Sequence, residues 1–198
     1  MAMRIGVDNL VYAPLTTDTD SELAYGEVKK LPGVMKISIN PNSSTETAFY
    51  DDGPGESAST LGSIEVEIEK AELSLEEKAA LLGHNLSNKG VLSYGASDSA
   101  PYVALGFRTL KSNGSYKYVW LMKGKFAEPE DSNETKGDSV SFQSDTITGN
   151  FAKTNHVFTI GGKSVQPWKF ETDDDATSKD TDTIAAWFTK PYQPSPAL

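Results

Sequence analysis

The chain has 198 residues, contains no cysteine and carries a net charge of −10 at neutral pH. The lack of cysteine excludes disulfide bonds, thiolate catalysis and zinc–sulfur centres. Arg4 and Arg108 are the only arginines, and an acidic chain with so little arginine is a poor candidate for gripping nucleic-acid phosphates.

The first third of the chain shows one clear strand pattern between two irregular segments. Residues 1–33 have weak periodicity, and we expect an N-terminal arm and a first strand region there, with a polar loop at 16–22. Residues 34–40 alternate and predict a strand that Pro41 ends. Residues 41–62 are rich in Ser, Thr, Asp, Gly and Pro and predict a long loop. Loops of that length are usually functional or disordered.

The clearest strand pattern lies at 63–70, where apolar and acidic residues alternate strictly. The two faces would carry Ile64, Val66 and Ile68, and Glu65, Glu67 and Glu69. A half-buried strand with a solvated acidic face explains the pattern. Three carboxylates in a row nevertheless repel one another mildly, which suggests some functional demand for a negative face. We predict a hairpin of 34–40 with 64–71, tipped by the long loop.

A helix is predicted over 74–83. Ser74 and Glu77 form a capping box, in which each side chain can bind the other residue's backbone N–H. Gly83 is a favourable residue for ending the helix. The apolar stripe of this helix would consist of Leu75, Ala79 and Leu82.

The segment 102–151 contains the strongest hairpin signal. Alternating runs at 103–108 and 116–123 flank Asn113-Gly114, a pair that tolerates positive φ. An acidic loop over 128–138 follows, and short strands are predicted at 140–142 and 145–151. The chain is therefore mainly β.

The C-terminal part predicts a second hairpin, an acidic loop and a short helix. Residues 155–160 and 163–170 would pair around Gly161-Gly162. We expect a mobile acidic loop at 171–182, then a helix capped by Thr181 or Asp182 and running through 184–188. The segment 191–198 contains three prolines and predicts an extended arm.

Catalytic and metal-binding patterns do not emerge from the sequence. His84 and His156 are not near a nucleophile motif, so we expect structural roles for both. The run at 173–175 with Asp180 and Asp182 could suggest calcium, but an EF-hand loop would require Gly and Glu where Ser178 and Ile184 stand. A solvated acidic loop is the favoured interpretation. We expect no enzyme activity, no cofactor and no bound metal.

No run approaches the ~18 apolar residues of a membrane span, and the first residues lack the apolar core of a signal peptide. We therefore expect no membrane insertion and folding in a cytoplasm.

Four segments in order resemble the major tail protein of long, non-contractile-tailed phages of the type found with Gram-positive hosts. The segments are Ser74-Leu-Glu-Glu-Lys-Ala-Ala-Leu-Leu-Gly83, Tyr102-Val-Ala-Leu-Gly-Phe-Arg108, Tyr118-Val-Trp-Leu-Met-Lys-Gly-Lys-Phe126, and Thr135-Lys136 with Phe142-Gln143 and Ile147-Thr-Gly149. The resemblance extends over about 34–188 and rests on structural rather than catalytic motifs. It is weakest in the terminal arms.

The resemblance implies a tail-tube β-sandwich or barrel with one flanking helix, spanning 34–190 as a single domain. It also implies hexameric rings stacked into a hollow tube, a virion tail location after assembly in the host cytoplasm, and DNA that passes without specific binding. The implied partners are further copies of the chain, a tape-measure protein, and tail-tip and tail-terminator proteins.

The same resemblance suggests roles for three groups of residues. We expect the strand at 63–70 to line the lumen with Glu65, Glu67 and Glu69. The long loop would join rings through Asn42, Thr45, Asp51, Asp52 and Glu56. The helix would pack near the ring interface through Leu75, Ala79 and Leu82.

Two other functions remain open from sequence. A tube protein of a contractile injection or secretion apparatus would share the fold and the ring geometry. A carbohydrate-binding β-sandwich could use Trp120, Trp168 and Trp187 as a sugar platform, although an alternating strand favours a core or interface position for Trp120.

Overall fold

Strands form most of the structure in the computed structural model, which describes residues 2–50, 53–133, 135 and 142–194. The strands and helices are β1 (Arg4–Asp18), β2 (Leu23–Tyr25), β3 (Lys29–Lys30), β4 (Val34–Tyr50), β5 (Gly53–Lys70), α1 (Leu75–Leu82), β6 (Asn85–Leu86), β7 (Leu92–Ser93), β8 (Val103–Lys111), β9 (Tyr116–Phe126), β10 (Asp145–Ala152), β11 (Phe158–Ile160), β12 (Lys163–Val165), β13 (Lys169–Asp173) and α2 (Thr181–Ala185). The mainly β fold with a small helical content is therefore confirmed.

One antiparallel sheet organises the chain, in the order β2-β1-β8-β9-β10-β5-β4. Two further strands join it at the sides, because β3 pairs with β1 and β13 pairs with the first half of β9. The second half of β9 pairs instead with β10. The sheet therefore branches at β9, because one edge of this strand pairs first with β13 and then with β10.

The sheet curves around an interior cluster of apolar side chains. This cluster draws on β1, β5, β8, β9 and β10, and Val34, Ile37 and Ile39 of β4 pack against it. Strands β1 and β4 approach each other without pairing. A groove lined by Val7, Ile37 and Phe107 separates them. The result is an open barrel whose core lies on the concave face.

An outer cluster covers the opposite face of β1, β8 and β9. Trp120 is fully buried there and donates its indole N–H to the carbonyl of Trp187 at 2.8 Å. Trp187 stacks on Tyr192, with ring centroids 5.2 Å apart. Pro191 is buried, and the Gln193 side-chain amide donates to the Leu23 carbonyl. The C-terminal segment therefore packs against the domain through Gln193, where an arm was expected.

A bulge in β9 directs Lys123 and Lys125 outward. Val103 pairs with Gly124 but Leu105 pairs with Leu121, so β9 holds one more residue than β8 between these pairs. The extra residue shifts the alternation. Gly124 then faces the interior, where a Cβ would lie 2.4 Å from the Phe151 ring.

Two expectations about the first 62 residues are corrected. The expected first strand region is present as β1, but the expected arm is not separate from the domain, because β1 begins at Arg4, pairs with β8 inside the sheet and contributes to both clusters. The loop at 41–62 is instead the outer part of a continuous β4–β5 hairpin, whose pairing continues from Pro41 through Ser43 to Tyr50. Pro41 does not end the strand because β4 is an edge strand, where a missing backbone N–H can be tolerated.

The C-terminal expectations are corrected in part. Gly161 and Gly162 have positive φ and turn β11 into β12, as predicted, but that hairpin ends at Val165. The chain from Lys169 forms β13 on β9 rather than continuing the hairpin. The helix expected through 188 ends at Ala185. The strand expected at 140–142 lies outside the described residues except for Phe142, which is not in a strand.

Candidate assembly surfaces

The outward face of β4, β5 and β10 is polar and is not part of either apolar cluster. We call it the polar sheet face. Its rows follow from the pairing register of the three strands: Lys36, Glu69 and Thr146; Ser38, Glu67 and Thr148; Asn40, Glu65 and Asn150. The three glutamates share this face, as the alternation predicted, because Ile64, Val66 and Ile68 are buried on the other side.

The charge of the polar sheet face is partly balanced. The Lys36 ammonium lies 3.7 Å from the Glu67 carboxylate, and both side chains are largely exposed. The Ser144 hydroxyl donates to Glu69 at 2.9 Å. Glu65 lies opposite two asparagines. An exposed ion pair of this kind contributes only about 0–1 kcal/mol to stability. The three glutamates of β5 therefore leave the middle of the face acidic. Its role in a lumen stays a prediction.

A basic corner borders this face on β9. The ammonium groups of Lys123 and Lys125 lie 5.1 and 4.5 Å from the centroid of the Tyr102 ring. Lys123 also pairs with Asp18 at 2.5 Å. Asp18 accepts backbone N–H groups of Asn155 and of the following residue, and these donors with Lys123 hold its pKa low against the opposing effect of burial. Lys125 therefore carries the less compensated charge at this corner.

The projecting hairpin, which we define as residues 41–62, is the most exposed part of the structure. None of its described side chains is fully buried. Hydroxyl pairs cross between its two strands at 44 and 60, 45 and 59, and 47 and 57. A two-stranded ribbon with so little apolar burial is marginal in water by itself. The expected inter-ring residues Asn42, Thr45 and Glu56 are exposed there, whereas Asp51 and Asp52 lie outside the described residues.

The hairpin has an aromatic tip. Phe49 and Tyr50 are 73% and 57% exposed. The Tyr50 ring lies over Gly55, where a Cβ would come within 2.2 Å of a ring carbon. Glycine at this position lets the ring fold onto the ribbon while Phe49 remains open to solvent.

A groove of about 700 Å³ lies where the hairpin leaves the sheet. We call it the root groove. It is lined mainly by Leu61, Ile64, Tyr102, Phe151, Lys125 and Lys153. Tyr102 and Leu61 remain 44% and 50% exposed, so the groove offers apolar surface and two cationic side chains to a partner.

Helix α1 begins and ends as the sequence predicts. Both bonds of the capping box are present, and Gly83 ends the helix with φ 79°. The predicted stripe is only partly right: Leu82 is buried in the interior cluster and Ala79 is half-buried, but Leu75 is 43% exposed. Leu81, which the stripe omitted, is fully buried. Leu82 therefore packs within the chain, whereas Leu75 faces solvent, and the role of this helix at a ring interface stays a prediction.

A buried ion pair fastens α1 to β5. Lys70 is 1% exposed, and its ammonium lies 2.6 Å from a Glu77 carboxylate oxygen. The other oxygen accepts the Ser74 backbone N–H at 2.9 Å. Glu77 thus serves the helix cap and the buried cation together, which the capping motif alone could not indicate.

His84 lies between two carboxylates that the sequence does not bring together. Its ring nitrogens are 2.8 Å from Asp98 and 2.9 Å from Glu128. The hydrogen bond to Asp98, followed by the bond to Glu128, raises the pKa of the imidazole above its usual 6.5, and desolvation opposes them. The pair with Glu128 links the end of α1 to a segment 44 residues later in the chain. His156 instead packs edge-on against Phe158.

The acidic segment expected as a loop at 171–182 begins with the last residues of β13, ends in α2, and between them contacts the β8–β9 turn. Asp175 binds Lys111, Asn113 and Ser115 in the β8–β9 turn, and these partners lower the pKa of its carboxyl to about 2. Asp174 accepts the backbone N–H of Tyr116. Within the described ranges, no group of three or more His, Asp or Glu is placed to hold a metal ion.

The tryptophans do not form an exposed sugar platform. Trp120 and Trp187 are buried in the outer cluster, and Trp168 is partly buried against the interior cluster. Among the helices that the structure describes, none is long and apolar enough to cross a membrane. No protein-family model matches the chain, and no curated protein matches it significantly.

Proposed function

We propose that this protein is the structural unit of a phage tail tube, in which hexameric rings of the chain stack into a hollow conduit for DNA. The observation that carries the proposal is the projecting hairpin, an ordered ribbon with no fully buried side chain among its described residues. Ordering that much chain costs conformational entropy. Contacts with neighbouring copies offset this cost in a tube.

Open strand edges support the same assembly. In the described part of the sheet, β4 pairs on one side only, with β5, and the first half of β1 pairs only with β8. Unpaired edges promote uncontrolled association unless a partner or a closed ring covers them. A closed ring of identical copies covers every such edge in the same way.

The polar sheet face suits the wall of a DNA conduit. Three glutamates on one strand would repeat around each ring, and DNA phosphates would meet like charge. Two unit charges 4 Å apart in water interact by about 1 kcal/mol, and the effect decays over about 8 Å at physiological salt. This is enough to discourage sticking without blocking passage.

The proposed setting is the virion tail, with assembly in the host cytoplasm. A tape-measure protein would fill the lumen before DNA passes, and tail-tip and tail-terminator proteins would bound the tube. A contractile apparatus could use the same surfaces for its inner tube, and the neighbouring genes would discriminate between the two.

Negative-stain electron microscopy of the purified protein at high concentration, beside light scattering of the same sample, tests the proposal. Rings or hollow tubes of uniform width are expected. A sample that stays monomeric both alone and with tail-tip complex added would refute it.

Replacing Glu65, Glu67 and Glu69 together by lysine tests the assignment of the lumen. Virions with these changes should assemble tails but eject DNA poorly, whereas replacement by glutamine should have the milder effect. Unchanged ejection by the lysine variant would remove this face from the lumen.

A further inference from the structure

We infer that the tip of the projecting hairpin in one copy docks into the root groove of the next copy, so that successive copies join head to tail. This inference rests on the proposed function, because it specifies which two surfaces connect the copies. The two surfaces are complementary in shape and in charge: the tip projects and is acidic, and the groove is concave and basic. Every copy of the chain carries both.

The shapes of the two surfaces fit each other. The tip presents Phe49, 73% exposed, on a narrow ribbon of small residues. The root groove has a volume of about 700 Å³ and an apolar floor that includes Ile64 and Phe151. An exposed aromatic side chain entering an apolar groove is the usual anchor of a specific interface. The second copy is the occupant, because every copy carries both parts.

The charges also fit. No lysine or arginine occurs from Ile37 to Glu69, and the outer hairpin carries Glu46 and Glu56. Among the described residues that line the root groove none is acidic, while Lys125 and Lys153 are both present. Opposite charges at an interface fix its register and exclude wrong pairings. A tip with only acidic charges and a groove with only basic charges therefore select each other.

The positions of the two surfaces set the polarity. The ribbon from Pro41 to Tyr50 rises about 3.3 Å per residue and separates tip from groove by about 30 Å. If a second copy is displaced from the first by that distance, along the direction in which the hairpin points, the groove of the second copy lies at the tip of the first. A two-fold arrangement would instead place two acidic hairpins side by side. The same contact repeated in one direction is heterologous and produces open stacks.

Cysteine cross-linking tests this docking directly, because the natural chain contains no cysteine. Ala48→Cys beside the tip and Ala152→Cys in the root groove replace exposed alanines. Mixing the two single variants under oxidising conditions should give a disulfide-linked heterodimer, and neither variant alone should cross-link. As a control, Ala185→Cys on the remote helix α2 should not link to Ala48→Cys.

The double variant with Ala48→Cys and Ala152→Cys in one chain tests the polarity. Head-to-tail docking gives a ladder of covalent oligomers on a non-reducing gel. Covalent dimers alone would overturn the polarity in favour of a two-fold pair. A disulfide between two Ala48→Cys chains would overturn the docking of tip into groove.

Charge exchange tests the recognition. Lys125→Glu with Lys153→Glu should lower the cross-linking yield about tenfold, because attraction becomes repulsion at two exposed pairs. Adding Glu46→Lys and Glu56→Lys to the partner should restore it. If the yield is unchanged by the first pair, the charges do not recognise each other.

Electron microscopy of the same samples separates this inference from the proposed function. Tubes without the tip-to-groove cross-link would refute the docking while leaving the tube intact. A ladder without tubes would support the docking and count against the tube. Absence of both, with and without added tail-tip complex, would refute both.

Discussion

The ion pair between Lys70 and Glu77 gives the sharpest test of the fold. We predict that Glu77→Gln strongly destabilises the protein, although the change is nearly isosteric. The amide oxygen can still accept the Ser74 N–H that Glu77 now accepts at 2.9 Å. The Lys70 ammonium, 1% exposed and 2.6 Å from the carboxylate, loses its counter-charge.

The size of the effect follows from burial. Removing one partner of a buried pair costs about 3–5 kcal/mol, because the remaining charge stays desolvated. Glu77 keeps 13% of its side chain exposed, so the lower end of that range, about 3 kcal/mol, is expected. Lys70→Met leaves a carboxylate that still reaches water and should cost about 1–3 kcal/mol. The double variant removes both charges and should cost less than the sum.

Urea unfolding followed by tryptophan fluorescence, to which the buried Trp120 and Trp187 contribute, measures these values at a concentration where light scattering shows monomers. With a slope of about 3 kcal/mol/M, Glu77→Gln should lower the midpoint by about 1 M. Lys36→Met provides the matched control, since its pair with Glu67 is exposed and contributes under about 1 kcal/mol. A loss below about 1 kcal/mol for Glu77→Gln, or additivity in the double variant, would refute the reasoning.

Three further perturbations test other contacts. Leu82→Asp should cost about 2–5 kcal/mol plus a charge penalty in the same urea assay, whereas Leu75→Asp on the exposed side should cost under about 0.5 kcal/mol; similar losses would contradict the orientation of α1. Gly124→Ala should cost about 1–3 kcal/mol because its Cβ would lie 2.4 Å from the Phe151 ring, and a neutral result would count against that packing. The raised pKa of His84 means that its stabilising contribution is full below about pH 6.5, the unfolded value, and is lost as pH rises through the folded pKa. In His84→Asn, the free energy of unfolding should therefore differ less between acidic and alkaline pH than in the natural protein. An unchanged pH dependence of this free energy would contradict the pairing of His84 with the two carboxylates.

The projecting hairpin marks the limit of what hydrophobic periodicity can predict. Residues 34–40 and 63–70 were identified as strands because one face of each packs on the core. Residues 41–50 and 53–62 continue the same pairing, with register shifts after Pro41 and Thr47, but none of them is fully buried, so their Ser, Thr, Ala and Gly residues show no apolar period. A strand outside the core carries no hydrophobic signal of its pairing.

The extent and register of strand β1 were not predicted, for a different reason. Leu10 and Tyr12 enter the interior cluster while Val11 enters the outer one, so consecutive residues are all buried. A strand buried on both faces does not alternate. Its register also shifts beside Asn9, which adopts a positive φ of 49°. The interruption divides β1 into two short runs that look irregular in sequence.

The sequence by itself determined the features that depend on neighbouring residues. The capping box of Ser74 and Glu77, the turn at Gly114 with φ 83°, and the alternation that places Glu67 outward all agree with the structure. Each depends on local φ and ψ preferences or on a period of two residues. Such rules act over a few residues and can therefore be applied to the sequence alone.

Only the tertiary structure decided which strands are neighbours and which distant charges meet. Strand β10 pairs with β5 as well as with β9, and His84 meets Glu128, which lies 44 residues later in the chain. The bulge that directs Lys123 outward depends on the length mismatch between β8 and β9. Burial and pairing are sums over the entire fold, so no local pattern specifies them.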